Sequence, residues 1–254
     1  MTASTQDPIK WFENDVFWEM FTPILFTDTH FNRAQEEVRA IEQLLDLEPG
    51  RAVLDLCCGP GRHSLALARK GYRVTGVDRT RFLLDRAAEQ AGSEGLEVDW
   101  VCQEMLNFRR QNCFDAVLNL FTSFGYYEEE EENLQVLRRV CENLCDGGQF
   151  LLEIVPKEFL ARQFQPCAVH DLEDGAMVLE RREVMADWAR MENRWILLRD
   201  GKYQEFTFTH WLYSGGELRS MLLRAGFSAV KLFGSLWGEE YGLESRRLIA
   251  VARK

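Results

Sequence analysis

No C-x-x-C pair occurs among the seven cysteines, and the four histidines (His30, His63, His170 and His210) stand far apart, with no metal-ligand spacing. A disulfide framework and a zinc site are both disfavoured; no metal is expected, and a reducing cytoplasm suits the cysteine usage. No apolar run approaches the ~18 residues that a membrane span requires, so no membrane partner is expected. Charges interrupt every apolar stretch of MTASTQDPIKWFENDVFWEM, which argues against a secretory leader. Positive charge is scarce too: 30 Lys and Arg against 41 Asp and Glu give a net charge of −11. That balance repels phosphate backbones, and the basic pairs (Arg109-Arg110, Arg138-Arg139, Arg181-Arg182, Arg246-Arg247) are scattered, so no nucleic-acid partner is expected. Repeats and low-complexity tracts are absent apart from Glu128 to Glu132. Those carboxylates sit where a helix should begin, facing the positive end of its dipole.

What is present reads as an ordinary globular chain of 254 residues, 46% hydrophobic, long enough for one core with a large insertion or for two small domains. Residues 1 to about 7 read as disordered. Trp11 to Phe31 holds seven aromatic residues, too much ring surface to leave in water, and should fold over something. Val38, Ile41, Leu44 and Leu45 recur at helical spacing until Glu48-Pro49-Gly50. From there strands and helices alternate. Ala52 to Leu56, Arg73 to Val77, Val98 to Cys102, Phe114 to Asn119 and Gln149 to Val155 read as strands; Arg62 to Lys70, Phe82 to Gln90 and a helix through Leu134 and Leu144, stopped by Gly147-Gly148, lie between them. Such alternation calls for a doubly wound parallel sheet. Beyond Pro156, Met177 to Val184, Met191 to Arg199 and Tyr203 to Tyr213 read as extended, with Asp200-Gly201 as a hairpin turn. The α/β pattern resumes with a helix over Gly216 to Ala225 and a final antiparallel pair, Phe227 to Phe233 and Arg247 to Val251. The division is thus a lid-like segment 1–48, an α/β domain 49–156 plus 214–254, and an inserted antiparallel sheet 157–213.

The stretch VLDLCCGPGRHSLAL carries the chemistry. Its turn runs Gly59-Pro60-Gly61-Arg62-His63-Ser64, so the third glycine of a dinucleotide fingerprint is missing, and no Lys-Ser/Thr pair completes a Walker loop. What remains is a strand ending in Asp55, a small-residue turn with Gly59 and Gly61, and a second strand ending in Asp78. Taken alone, a strand-end acid such as Asp55 can serve merely to cap the next helix. Cys57-Cys58 reads as small packing residues, His63 as structural and Pro166-Cys167 as loop filler.

These residues resemble the class I S-adenosylmethionine-dependent methyltransferases. VLDLCCGPG matches their acid-plus-glycine turn, with Cys57 where glycine is commoner; VTGVDRT, VCQEML and FDAVLNLFTSFGYY follow in family order. The resemblance spans 50–156 and, more loosely, 214–254. It implies a mostly parallel seven-stranded Rossmann-like sheet with an antiparallel final pair, and S-adenosylmethionine as cofactor, left as S-adenosylhomocysteine. It further implies that Asp55 and the carbonyls of Cys57 and Leu120 face the methionine ammonium, while Gly59 and Gly61 let the cofactor approach. Asp78 accepts the ribose hydroxyls, Arg79 flanks the adenine, Glu104 takes its amine where aspartate is commoner, and Met105 N–H meets a ring nitrogen.

Methyl transfer is an in-line displacement, so the remaining work is alignment and the exclusion of water. Phe124, Tyr126 and Tyr127 should border the methyl donor. Alternation places Phe206, Phe208, His210 and Leu212 on one face, which makes His210 either a satisfied core group or the acid/base. Trp237 and Tyr241, in the last loop, should close over the same end of the sheet, and Trp11 and Trp18 from the other side. No [DN]-P-P-[YFW] follows the fourth strand, which argues against nucleobases. The insertion is similar in position to that of small-molecule N-methyltransferases acting on glycine, sarcosine or amino sugars, where it covers the acceptor and often builds a homodimer. The expected activity is methylation of nitrogen or oxygen on a small molecule. A cofactor-binding module without catalysis and a nicotinamide-dependent oxidoreductase are the alternatives.

Overall fold

Five parallel strands run in the order β3 (Val98–Cys102), β2 (Arg73–Asp78), β1 (Ala52–Leu56), β4 (Phe114–Asn119) and β5 (Leu144–Ile154). They belong to a computed structural model that describes residues 10–172 and 174–254; the disorder expected of residues 1 to 7 lies outside the described residues. Beyond β5 come β11 (Leu248–Arg253) and then β10 (Ala229–Phe233), each antiparallel to its neighbour. The sheet is thus the doubly wound one that the alternation called for, with the seven strands and antiparallel final pair that the resemblance implied. Successive residues of β1 face opposite layers. Val53 packs with Val38 and Ile41 of α2 (Asp28–Leu45) and Leu67 of α3 (Arg62–Arg69). Leu54 shares a cluster with Leu137 of α5 (Glu130–Asn143) and Leu218 of α7 (Gly215–Arg224). Covered on both faces, β1 is buried throughout, which is why it reads as a continuous apolar run broken only by Asp55.

Local chemistry sets the helix starts. The acidic run supplies the N-cap of α5: the Glu129 carboxylate accepts from the backbone N–H three residues on, and Glu132 reaches back to Glu129 N–H at 3.3 Å. Ser214 and Glu217 form the same reciprocal box at α7. One expected stop is corrected. Gly147-Gly148 does not end α5, which closes at Asn143; the glycines lie in an irregular stretch of β5, where pairing passes from Leu144 opposite Phe114 to Gln149 opposite Ala116. Asn143 is the anchor, its side chain accepting from Arg110 N–H at 2.7 Å and donating to the Phe108 carbonyl at 3.4 Å.

The insertion opens with α6 (Lys157–Arg162) and folds as a four-stranded antiparallel meander: β6 (Cys167–Asp171), β7 (Met177–Met185), β8 (Arg190–Arg199) and β9 (Lys202–Trp211). Asp200 and Gly201 have φ of 53° and 71°, the paired positive values of a type I′ hairpin turn. The aromatic N-terminal segment folds onto this meander. Phe17 and Phe21 of α1 (Asp15–Leu25), one helical turn apart, are buried with Val178 and Leu197 and bordered by Trp195 and Phe206. Among the described residues no helix is long and apolar enough to cross a membrane.

Candidate active site

The turn after β1 has left-handed backbone at three residues: Cys57 (φ 62°), Gly59 (φ 54°) and Gly61 (φ 78°). For Cys57, the only one with a side chain, that conformation costs roughly 1–2 kcal/mol. The two glycines answer to different neighbours. A Cβ on Gly59 would meet the Phe26 ring at 3.2 Å, whereas one on Gly61 would stand 2.7 Å from Trp100 and 2.9 Å from Ala87. Gly61 is therefore required by the packing of β3 and α4 (Arg81–Glu94) against the turn, a demand that motif spacing does not reveal.

Behind the turn, Asp55 is 2% exposed and accepts from the Ser64 hydroxyl at 2.6 Å. It holds α3 to the strand. In front, Asp78 takes an N–H on each oxygen: Gly59 at 2.9 Å and Thr80 at 2.8 Å. Burial raises its pKa, with those two hydrogen bonds opposing the rise. The Thr80 hydroxyl also bonds this carboxylate, whose four lone-pair sites leave room for a further donor. Glu104 receives the Tyr127 hydroxyl and the Met105 N–H on Oε1, while its buried Oε2 has no hydrogen-bond partner among the described residues and lies 3.4 Å from Arg79 Nε. The Met105 N–H expected to meet an adenine nitrogen is thus turned to Glu104. The Leu120 carbonyl likewise accepts from the Ser123 hydroxyl at 2.9 Å. Burial, then the Asp78, Glu104 and Asp55 charges, push the Cys57 thiol well above its ordinary pKa. Negative potential converges there.

A cavity of about 540 Å³, counted to its mouth, opens at these strand ends. It gathers seven of the expected residues, Cys57, Asp78, Arg79, Glu104, Met105, Tyr126 and Trp18, the last of which forms its roof with Phe12. Arg79 and the Trp18 indole both donate to the Phe12 carbonyl, at 3.0 and 2.9 Å, fastening the roof. A second cavity of about 740 Å³, counted to its mouth, lies between the N-terminal segment and the inserted sheet, lined by rings including Trp11, Phe17, Trp195 and Phe208, with His210, Asn193, Thr122 and Ser123 among its polar groups. Trp18, Ser123 and Tyr126 line both. Burial lowers the His210 pKa to about 4, so the imidazole is neutral at pH 7. Its Nδ1 lies 3.1 Å from the Asn193 amide.

Other expected residues stand apart. Asp55, Gly59, Gly61 and Leu120 line neither cavity, and Phe124 and Tyr127 are buried core residues behind the walls. Trp237 is 62% exposed, and Tyr241 packs where a Cβ on Gly215 would fall, so the last loop reaches α7 and not the cavities. Thr80, Gln103 and Ser123 lie inside the quoted motif stretches but are not singled out there, and Asn193 lies in none of them; folding brings all four to the cavities. Phe121 and Thr122, both left-handed (φ 59° and 60°), shape the loop beside the second cavity, their N–H groups held at 3.1 Å by the Glu153 carboxylate and carbonyl.

The Methyltransferase domain family matches residues 53–148. Cypemycin N-terminal methyltransferase from Streptomyces sp is 30% identical over 210 residues, covering 81% of this chain and 84% of that protein. Two solved structures share the fold. An S-adenosylmethionine-dependent methyltransferase from Clostridium acetobutylicum superposes with a TM-score of 0.77 at 16% identity, covering 94% of this chain and 98% of that one. CalS10, an amino pentose methyltransferase from Micromonospora echinaspora with S-adenosylmethionine bound, does so with 0.66 at 21%, covering 94% and 97%. The chain belongs to the class I S-adenosylmethionine-dependent methyltransferases. Its cofactor is S-adenosylmethionine. The strand-end cavity fits that group: its walls carry Asp78 and Glu104 against Arg79, a net negative lining for a sulfonium, with a buried carboxylate oxygen awaiting a donor.

Proposed function

We propose that the protein methylates a nitrogen or oxygen atom of a small molecule, holding the donor in the strand-end cavity and the acceptor in the ring-lined cavity beside it. The observation that carries this reading is the shared wall of Trp18, Ser123 and Tyr126. Two adjoining chambers, one acidic and one aromatic, suit a reaction whose partners must meet along one line with water excluded. When bound, the cofactor supplies an electrophilic methyl group on a sulfonium. The chain does the rest. Asp78 accepts from the ribose hydroxyls, Glu104 Oε2 accepts from the adenine amine, and Arg79 borders the base. Asp55 and the Cys57 carbonyl serve the methionine end, Asp55 through the turn it braces. Tyr127 positions Glu104. Tyr126 closes the gap between the chambers, and His210 takes the acceptor's proton as general base. The segment 1–48 acts as cover, and the insertion 157–213 as the acceptor's outer wall. The outer face of the insertion, where Met177, Leu198 and Tyr203 form an exposed cross-strand row, is the contact for a homodimer. Nitrogen as the accepting atom is supported by the N-terminal and amino pentose methyltransferases to which the chain is similar.

Calorimetry with S-adenosylhomocysteine tests the site. Asp78→Ala is expected to weaken that affinity by roughly 1–3 kcal/mol, the scale for charged hydrogen bonds. An unchanged affinity removes the assignment of Asp78.

A further inference from the structure

The ring-lined cavity is defined as much by what its walls omit as by what they hold. Among the described residues, the twelve that line it include no Lys, Arg, Asp or Glu. An amino acid zwitterion or a nucleotide-linked sugar would enter with its charges unpaired, at a cost of several kcal/mol for each buried ion. The aromatic surface is instead continuous. Trp11 stacks on Phe208 with centroids 4.6 Å apart, Tyr126 meets Trp11 at 4.7 Å, and Trp195 stands edge-on to Phe208 at 5.3 Å. Rings so arranged offer faces and edges to another ring. Two residues of this wall, Trp11 and Trp195, also carry indole N–H groups that are buried without a partner among the described residues. Buried indole N–H groups ordinarily find one.

We infer that the acceptor is an uncharged, planar aromatic compound carrying carbonyl or ring-nitrogen acceptors for the Trp11 and Trp195 N–H groups, and methylated at a ring N–H or a phenolic hydroxyl. This rests on the placement of donor and acceptor in the two adjoining cavities. In the transfer the acceptor's lone pair forms the new bond to carbon, the carbon–sulfur bond breaks with its electron pair going to sulfur, and the acceptor's proton goes to His210.

The test is calorimetric titration of the full chain, saturated with S-adenosylhomocysteine, using lumazine and quinolin-8-ol as planar probes and sarcosine and glucosamine 6-phosphate as charged comparators. The planar probes are expected to bind with Kd at or below about 1 mM, and the comparators at least roughly tenfold more weakly. Trp11→Phe and Trp195→Phe keep a ring and remove the N–H; each should weaken lumazine roughly five- to tenfold while leaving S-adenosylhomocysteine affinity unchanged. On the unaltered chain, lumazine should quench indole fluorescence with the same saturation point, a readout that needs no variant. A comparator binding as tightly as the planar probes, planar probes that fail to saturate, or a lumazine affinity unmoved in both variants each overturns the inference. Failure of S-adenosylhomocysteine to bind the unaltered chain instead removes the donor site itself, and the inference with it.

Discussion

His210 stays neutral well below pH 7 because burial among rings disfavours the imidazolium. The Asn193 Nδ2 faces His210 Nδ1 and donates to it, which leaves the proton on Nε2; with the amide turned over, so that its oxygen accepts from an Nδ1–H, Nε2 is free to take a proton. A general base of this kind contributes typically 10²–10⁴-fold. His210→Phe, which keeps the apolar packing, should lower kcat by about that factor and leave S-adenosylhomocysteine affinity unchanged. The acid limb of the unaltered enzyme's kcat should fall near pH 4, where the imidazole protonates, and disappear in the variant; stopped-flow turnover across pH 3 to 8 checks both. A variant with full turnover makes the histidine a packing residue. Residues of this sort were only partly legible in the sequence. His210, Asp78 and Glu104 stand at strand ends or on a strand face, positions that periodicity reveals. The aromatic richness of its segment marks Trp18 as cover, whereas Asn193 reaches the cavity only through the pairing of β8 with β9, a contact with no local signature.

One buried ion cluster joins α2 to α3. Glu37 accepts from Arg62 at 2.5 Å and lies 2.8 Å from His63 Nε2, and both partners are 5% exposed. Burial opposes ionisation of Glu37, but the His63 hydrogen bond and the Arg62 charge hold its carboxyl at about 2, against an ordinary 4.5. A folded-state pKa below the unfolded value adds stability that is complete above pH ~4.5 and vanishes as the pH falls toward ~2, here about 3 kcal/mol. Urea denaturation between those limits should show the loss. Glu37→Gln should lack it, and at pH 7 should be less stable by about 3–5 kcal/mol, because Arg62 is left buried without its counter-charge. Equal acid sensitivity in the two proteins places the titrating group elsewhere. Elements themselves were largely legible: the strands of the main sheet and three of the four in the insertion carry apolar runs or alternation. β6 and α6 did not stand out, being five and six residues of mixed character, mostly exposed or half-buried. Gly147-Gly148 misled because a glycine pair marks a strand irregularity as readily as a helix end.

The whole molecule comprises a sheet sandwiched between two apolar clusters, and a third cluster that binds the N-terminal segment to the insertion. Trp11 and Trp18 border both the first and third clusters, and the two cavities lie along that seam. The seam is therefore where the acceptor wall and the donor roof depend on each other. Phe21, wholly buried between α1 and the rings of Trp195 and Phe206, is the keystone of the third cluster. Phe21→Ala should cost about 3–5 kcal/mol, as large cavities in packed cores do. Because that loss falls outside the sheet's own clusters, it should loosen one body before the other. Hydrogen exchange should accelerate across 15–25 and 177–211 while β1, β4 and β5 stay protected, and calorimetric melting should divide into two transitions. Weakened binding of S-adenosylhomocysteine should accompany the loosening, since Phe12 and Trp18 would no longer be held over Asp78 and Glu104. A single melting transition, shifted but undivided, with uniform acceleration of exchange, makes the two bodies one cooperative unit and the seam a mere surface of contact.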